Sequence, residues 1–168
     1  MRVIPHTFSL SGSFAAGVKL LYFGTAGTLP ARLATEARSL KIEHVSPEAL
    51  VHQEICRRTP LGRPAAQARQ HGAAVPDQPL LAILRKWFWA RKPDAGFLLE
   101  GFPATLLHAR VFDEWLEARE EVLTGCLCPE PRSALVLTKA DAAKPAVIEH
   151  YRTLGLLLEF GPSAVTAV

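Results

Sequence analysis

The stretch VKLLYFGTAGTLPARLA, Val18 to Ala34, carries a hydrophobic run into a turn with Gly24, Gly27 and Thr28 and then into a helical pattern. Backbone N–H groups at such a turn can surround a phosphate, because glycine permits close approach and a helix start favours negative charge. No lysine follows the glycines, and Pro30 removes one N–H donor from the first turn. The residues keep part of the shape of an anion site without its charge. A second candidate is EGFPAT, Glu100 to Thr105, where one carboxylate closes an apolar run and adjoins Gly101 and Phe102.

Other chemistry-bearing residues point to less. Cys126 and Cys128 share one side of a predicted strand, but two thiols with no third ligand do not make a metal site, and no metal is expected. With Cys56 they make an odd count without C-x-x-C spacing, which argues against a disulfide framework and fits a reducing cytoplasm. His44 and His108 are placed to face a cleft, whereas His71 and His150 read as surface or helix-end residues; none belongs to a recognisable nucleophile motif. Glu117, Arg119, Glu120 and Glu121 read as a solvated helix end.

These residues need a frame. The 168 residues, 49% of them hydrophobic, suit one globular domain from 18 to 168 preceded by a flexible tail over 1–17. A formal charge of +3 with scattered basic residues gives nucleic acid no foothold, and no apolar run approaches the roughly 20 residues of a membrane span. Strands are predicted at Val18–Phe23, Ile42–Val45, Gly96–Leu99, Val122–Cys128 and Leu156–Phe160. Helices are predicted at Leu29–Arg38 with Thr28 as N-cap, Pro47–Arg57 capped by Ser46, Pro64–His71, Gln78–Ala90, Thr105–Glu120 and Pro145–Leu154. Ala134 to Thr138 competes for the fourth strand position. The alternation implies an α/β fold, a parallel sheet flanked by helices, whose ligands gather beyond the carboxyl ends of the strands near Gly24–Thr28, Ser46 and Glu100–Pro103.

Four stretches in that order resemble the adenylate kinase and uridylate/cytidylate kinase family of nucleoside monophosphate kinases. FLLEGFPATLLHA is similar to the family's F-L-L-D-G-F-P-R-T-x-x-Q-A, HGAAVPD to its G-x-x-V-P-D turn, HVS to the start of H-I-S-T-G-D, and VIEHYRTLGLLLEF to its closing helix and strand. The resemblance covers nearly the whole chain from Val18 and implies a P-loop NTPase-like, adenylate kinase-like sheet. ALVLTKAD also resembles the guanine-reading T-K-x-D motif of GTPases through Asp141, but no G-K-S/T loop or D-x-x-G accompanies it, and it reads as a helix cap before Pro145.

The family resemblance also supplies a checklist of charges, because phosphoryl transfer depends on positioning and on positive charge around the moving group. Against the family's G-x-x-G-x-G-K-G-T, Gly24 and Gly27 remain while Leu29 and Pro30 take the third glycine and the lysine. The arginine that grips the acceptor phosphate is Ala104, the magnesium-linked aspartate is Glu100, and the base-reading glutamine is His108. After His44-Val45-Ser46, the T-G-D and following arginine become Pro47, Glu48, Ala49 and His52. The arginine-rich lid shortens to PEPRSALVLTKADAAK, with Arg132, Lys139 and Lys144 as its cations. Ser46, Gly72, Val75, Gly101, Phe102 and His108 are the candidates for a nucleoside pocket, with turn and core roles as their plain alternatives.

Two functions follow as expectations. One is a protein of this family that has lost phosphoryl transfer and acts as a nucleoside- or nucleotide-binding module or by contact with a protein partner. The other is an active kinase that moves the ATP γ-phosphoryl to AMP, UMP or CMP, with ATP and magnesium required and Arg32, Arg57 or Arg58 as substitute cations.

Overall fold

The computed structural model describes residues 17–24, 27, 29–129 and 144–160. Its centre is set by two apolar runs, β1 (Lys19–Tyr22) and β3 (Phe97–Glu100), each buried along its whole length. Strands of that kind must be covered on both faces, which is the condition of a parallel sheet with helices on either side. With β2 (Glu43–Val45), β4 (Gly125–Pro129) and β5 (Leu157–Phe160) they form one sheet in the order β2-β3-β1-β4-β5, every pairing parallel.

Alternation along β1 divides the core. Leu20 and Tyr22 join Leu98 and Leu127 against Leu33 and Ala37 of α1 (Ala31–Ser39). Leu21 joins Phe97, Leu99 and Cys126 on the other face, where α4 (Asp77–Ala90), α5 (Leu106–Ala118) and α6 (Lys144–Thr153) bring Phe88, Phe112 and Tyr151. A third cluster, Val51, Ala65 and Ile83, joins α2 (Pro47–Cys56) and α3 (Gly62–Gln70) to α4. Within it Glu54 is buried; hydrogen bonds from Lys86 and Thr59 hold its carboxyl below the ordinary value. No helix among the described residues is long and apolar enough to cross a membrane.

The predicted elements are all present, with shifted ends. Helix α1 starts at Ala31, later than the Leu29 expected, because Pro30 is extended at ψ 134° and occupies the N-cap position itself. Thr28, the expected cap, lies outside the described residues. Ser46 caps α2 as expected, and Thr105, expected as the first residue of its helix, is instead the cap of α5; they accept from the N–H groups of Ala49 and His108 at 3.2 Å each. Gly125–Pro129 takes the fourth strand position beside β1, with Leu21 opposite Cys126; the competing segment, the T-K-x-D match and the shortened lid up to residue 143 lie outside the described residues, as do residues 1–16.

One expectation is overturned. The end of α5 is not uniformly solvated, since the side chains of Arg119 and Glu121 are 8% and 2% exposed. Glu121 forms an ion pair with Arg119 Nε at 3.0 Å and accepts a hydrogen bond from Arg91, and Lys19 Nζ stands 3.9 Å away. The charges are buried because they meet one another and because Arg91 and Arg119 lie over the Phe88 ring, 4.5 and 5.4 Å from its centroid.

Candidate functional site

The carboxyl ends of β1, β2 and β3 meet at one edge. β1 runs through Phe23 to Gly24, β3 ends in Glu100, and β2 places His44 opposite Leu98. Leu98 and Glu100 are two residues apart in a strand, so His44 and Glu100 share a face.

Glu100 is the centre of this edge. It is only 4% exposed, and both oxygens are engaged: Oε1 accepts the Gly27 N–H at 2.7 Å and Oε2 lies 2.9 Å from His44 Nε2. Gly27 sits at φ +78°, in the left-handed region that glycine tolerates, and that conformation turns its N–H toward the carboxylate. Gly24 is required for a different reason. A Cβ there would fall 2.2 Å from the Tyr22 ring, which is itself buried beneath the turn. The described part of the loop is thus packed from below by an aromatic side chain and bonded from the side by an acid of the same chain.

The candidates toward the nucleoside side separate. Phe102 and His108 come together, their rings stacked at 5.2 Å and 22°, and both are buried. His108 Nε2 lies 2.9 Å from Asp77 Oδ1, a tether that sequence reasoning missed because it joins the starts of two helices 31 residues apart. His108 Nδ1 has no hydrogen-bond partner among the described residues. Phe102 also meets Phe112 edge-on at 5.8 Å, so its ring is part of the core as much as of the edge. Gly101 is exposed at φ +75° and turns the chain after β3. Ser46 is engaged as a helix cap, Gly72 at φ +64° ends α3, and Val75 packs on the Val51–Ala65–Ile83 cluster. Ala104 is half-buried and brings no charge.

The cations named as substitutes are not drawn in. Arg32 Nε pairs with Glu36 at 3.0 Å on the surface of α1, while Arg57 and Arg58 are exposed at the end of α2. Burial, with Asp113 and Cys128 nearby, pushes the Cys126 thiol far above its ordinary value, so it offers no thiolate. His150 is partly buried and bonds Asp113 of the neighbouring helix α5 at 2.6 Å, while His71 is exposed and bonds the Gln67 carbonyl at 2.7 Å.

No protein-family model matches the chain. Among curated proteins it is similar to the adenylate kinase of Moorella thermoacetica, 34% identical over 121 residues that make 71% of this chain and 56% of that protein. It is 28% identical over 163 aligned residues to the adenylate kinase of Prochlorococcus marinus, covering 83% of this chain and 87% of that protein. It is 29% identical over 126 residues to that of Clostridium botulinum, covering 73% and 57%. The match thus spans little more than half the length of the Moorella and Clostridium proteins. The 34% identity to the Moorella protein over 71% of this chain places the chain in the nucleoside monophosphate kinase family, and its five-stranded parallel sheet flanked by helices is adenylate kinase-like.

Proposed function

We propose that this protein has lost phosphoryl transfer and works as a binding module of the adenylate kinase-like fold, for a nucleoside or nucleotide or for a protein partner. The observation that carries the reading is the bond from the Gly27 N–H to Glu100: a donor of the phosphate turn is engaged by the chain's own carboxylate. Without a magnesium ion to bridge them, which is the part the family resemblance gives the acid at this position, a phosphate brought to that N–H would stand beside a buried negative charge. Two unit charges of like sign about 4 Å apart repel by about 4 kcal/mol at an effective dielectric constant of about 20. Pro30 and Ala104 compound the loss, since each missing preorganised donor commonly lowers a rate about 10²-fold or more.

The test is direct. Purified protein with magnesium, ATP and either AMP or UMP is expected to form no diphosphate above a mock preparation. Turnover of about 1 s⁻¹ or faster, within the ordinary range for enzymes, overturns the reading. The opposing reading, an active nucleoside monophosphate kinase, draws support from the relatives' names and from Arg57 and Arg58, which are exposed at the end of α2. The same assay decides between the two.

A further inference from the structure

Two surface grooves lie on opposite flanks of α5. At 100° per residue, Val111 and Trp115 face one way while Asp113, Leu116 and Glu117 face the other. The first groove, about 650 Å³, is floored by Leu81, Trp89, Val111 and Trp115 and carries Arg85 and Lys86 but no carboxylate. Lys86 is paired with Glu54, whereas Arg85 is exposed with no ion-pair partner among the described residues, and Trp89 is 43% exposed.

The second groove, about 400 Å³, combines Leu116, Val122 and Leu123 with acids and no cation. Asp113 is held by His150 and Glu121 by Arg91, so Glu117 and Glu120 supply its unpaired charge among the described residues. Val122 is 74% exposed on its rim.

The acids of this rim are placed against the interest of the fold. Helices α1, α2, α3, α5 and α6 close with the same pair of hydrogen bonds around a residue at positive φ: Lys41, Arg58, Gly72, Glu120 and Gly155. Glycine relieves the strain of that position, and a cation suits the negative end of the helix. Glu120 does neither, and Glu117 adds a second negative charge to the same last turn. Choices that local stability opposes, gathered beside an exposed valine, indicate selection for contact.

We propose that the occupant of each groove is a second copy of this chain, the acid-rimmed groove of one copy seated on the basic, tryptophan-floored groove of the next. Both halves of a charge-complementary contact are then present in a single molecule, and because the two faces differ the association is head to tail.

Sedimentation velocity of the full chain tests this. Concentration-dependent association is expected at about 50 mM salt and should weaken at about 500 mM, where the screening length falls to a few ångströms. Arg85→Glu spoils the basic groove and Val122→Asp the acidic one; both side chains are exposed, and circular dichroism verifies that the variants fold. Each variant alone is expected to lose association at least tenfold. Mixed together they should form a discrete one-to-one dimer, because each keeps one sound groove and the two spoiled grooves, both acidic, repel. A chain that stays monomeric at every concentration overturns the proposal, as does a mixture that fails to pair or a dimer that survives both substitutions.

Discussion

The two ends of the sheet treat charge in opposite ways. At the amino ends of the strands, Lys19, Arg91 and Arg119 crowd about Glu121, and Asp94 approaches Lys19 at 3.6 Å. At the carboxyl ends, where a phosphate would sit, the described edge holds the buried acid Glu100, answered by one backbone N–H and one partly exposed histidine. A kinase needs its cations where the phosphate moves. Here the buried arginines and lysine hold together the end of the sheet farthest from that place, and they do so by closing on their own chain.

The largest effect should therefore follow a change at the amino end. Glu121→Ala leaves Lys19, Arg91 and Arg119 facing one another without their central anion, each with a side chain no more than 8% exposed. Removing one member of a buried charge cluster commonly costs about 3–5 kcal/mol, and urea denaturation should show a loss of that order. A loss below about 1 kcal/mol would reduce this end to a surface ion cluster and remove the contrast.

How much of this contrast could be read beforehand depends on how far apart the partners lie in the chain. The continuous apolar runs KLLY and FLLE announce strands buried on both faces, and Ser46 and Thr105 announce helix starts, because each of these signals is local. Glu121 meets Arg91 across 30 residues and Lys19 across 102, and a charged run at a helix end gives no hint of which member turns inward. Likewise, that Pro30 and Ala104 stand where the family resemblance expects a lysine and an arginine is visible by matching positions, but the bond from the Gly27 N–H to Glu100 is not. His44 reaches Glu100 only because β2 lies next to β3, and Gly27 reaches it only because β3 lies next to β1.

A middle effect probes the carboxyl end. Glu100→Ala removes the acid from the Gly27 N–H and from His44 Nε2. Its own stability should fall by about 1–3 kcal/mol, the usual contribution of hydrogen bonds to a charged group, because Gly27 and His44 are exposed and turn to water once freed. Its response to anions should rise. Millimolar ATP is expected to leave the melting temperature of the unmodified protein within about 1 °C and to raise that of the variant by several degrees, since a ligand stabilises in proportion to its saturation. If the unmodified protein shows the larger rise, Glu100 does not oppose the phosphate and the two ends differ less than the geometry indicates.

The smallest effect concerns the aromatic pair beside that edge. Phe102 is stacked by the His108 ring, which Asp77 holds, and both rings are buried, so a nucleoside would meet them only by displacing part of this edge, next to Ala104, where the family resemblance expects an arginine. Burying a phosphate with no paired cation is costly, whereas a flat ring still gains from an apolar wall. Any binding here should accordingly favour adenosine over AMP and uridine over UMP, by a few-fold, or about 1 kcal/mol. Titration calorimetry compares the four directly. Tighter binding of a monophosphate would locate a working cation near this edge, and alanine substitution in turn of Arg57, at the end of α2, and Arg63, exposed in the first turn of α3, would identify it. Binding of none of the four would leave Phe102, His108 and Gly72 as residues of the fold alone and confine the function to the outer faces of the helices.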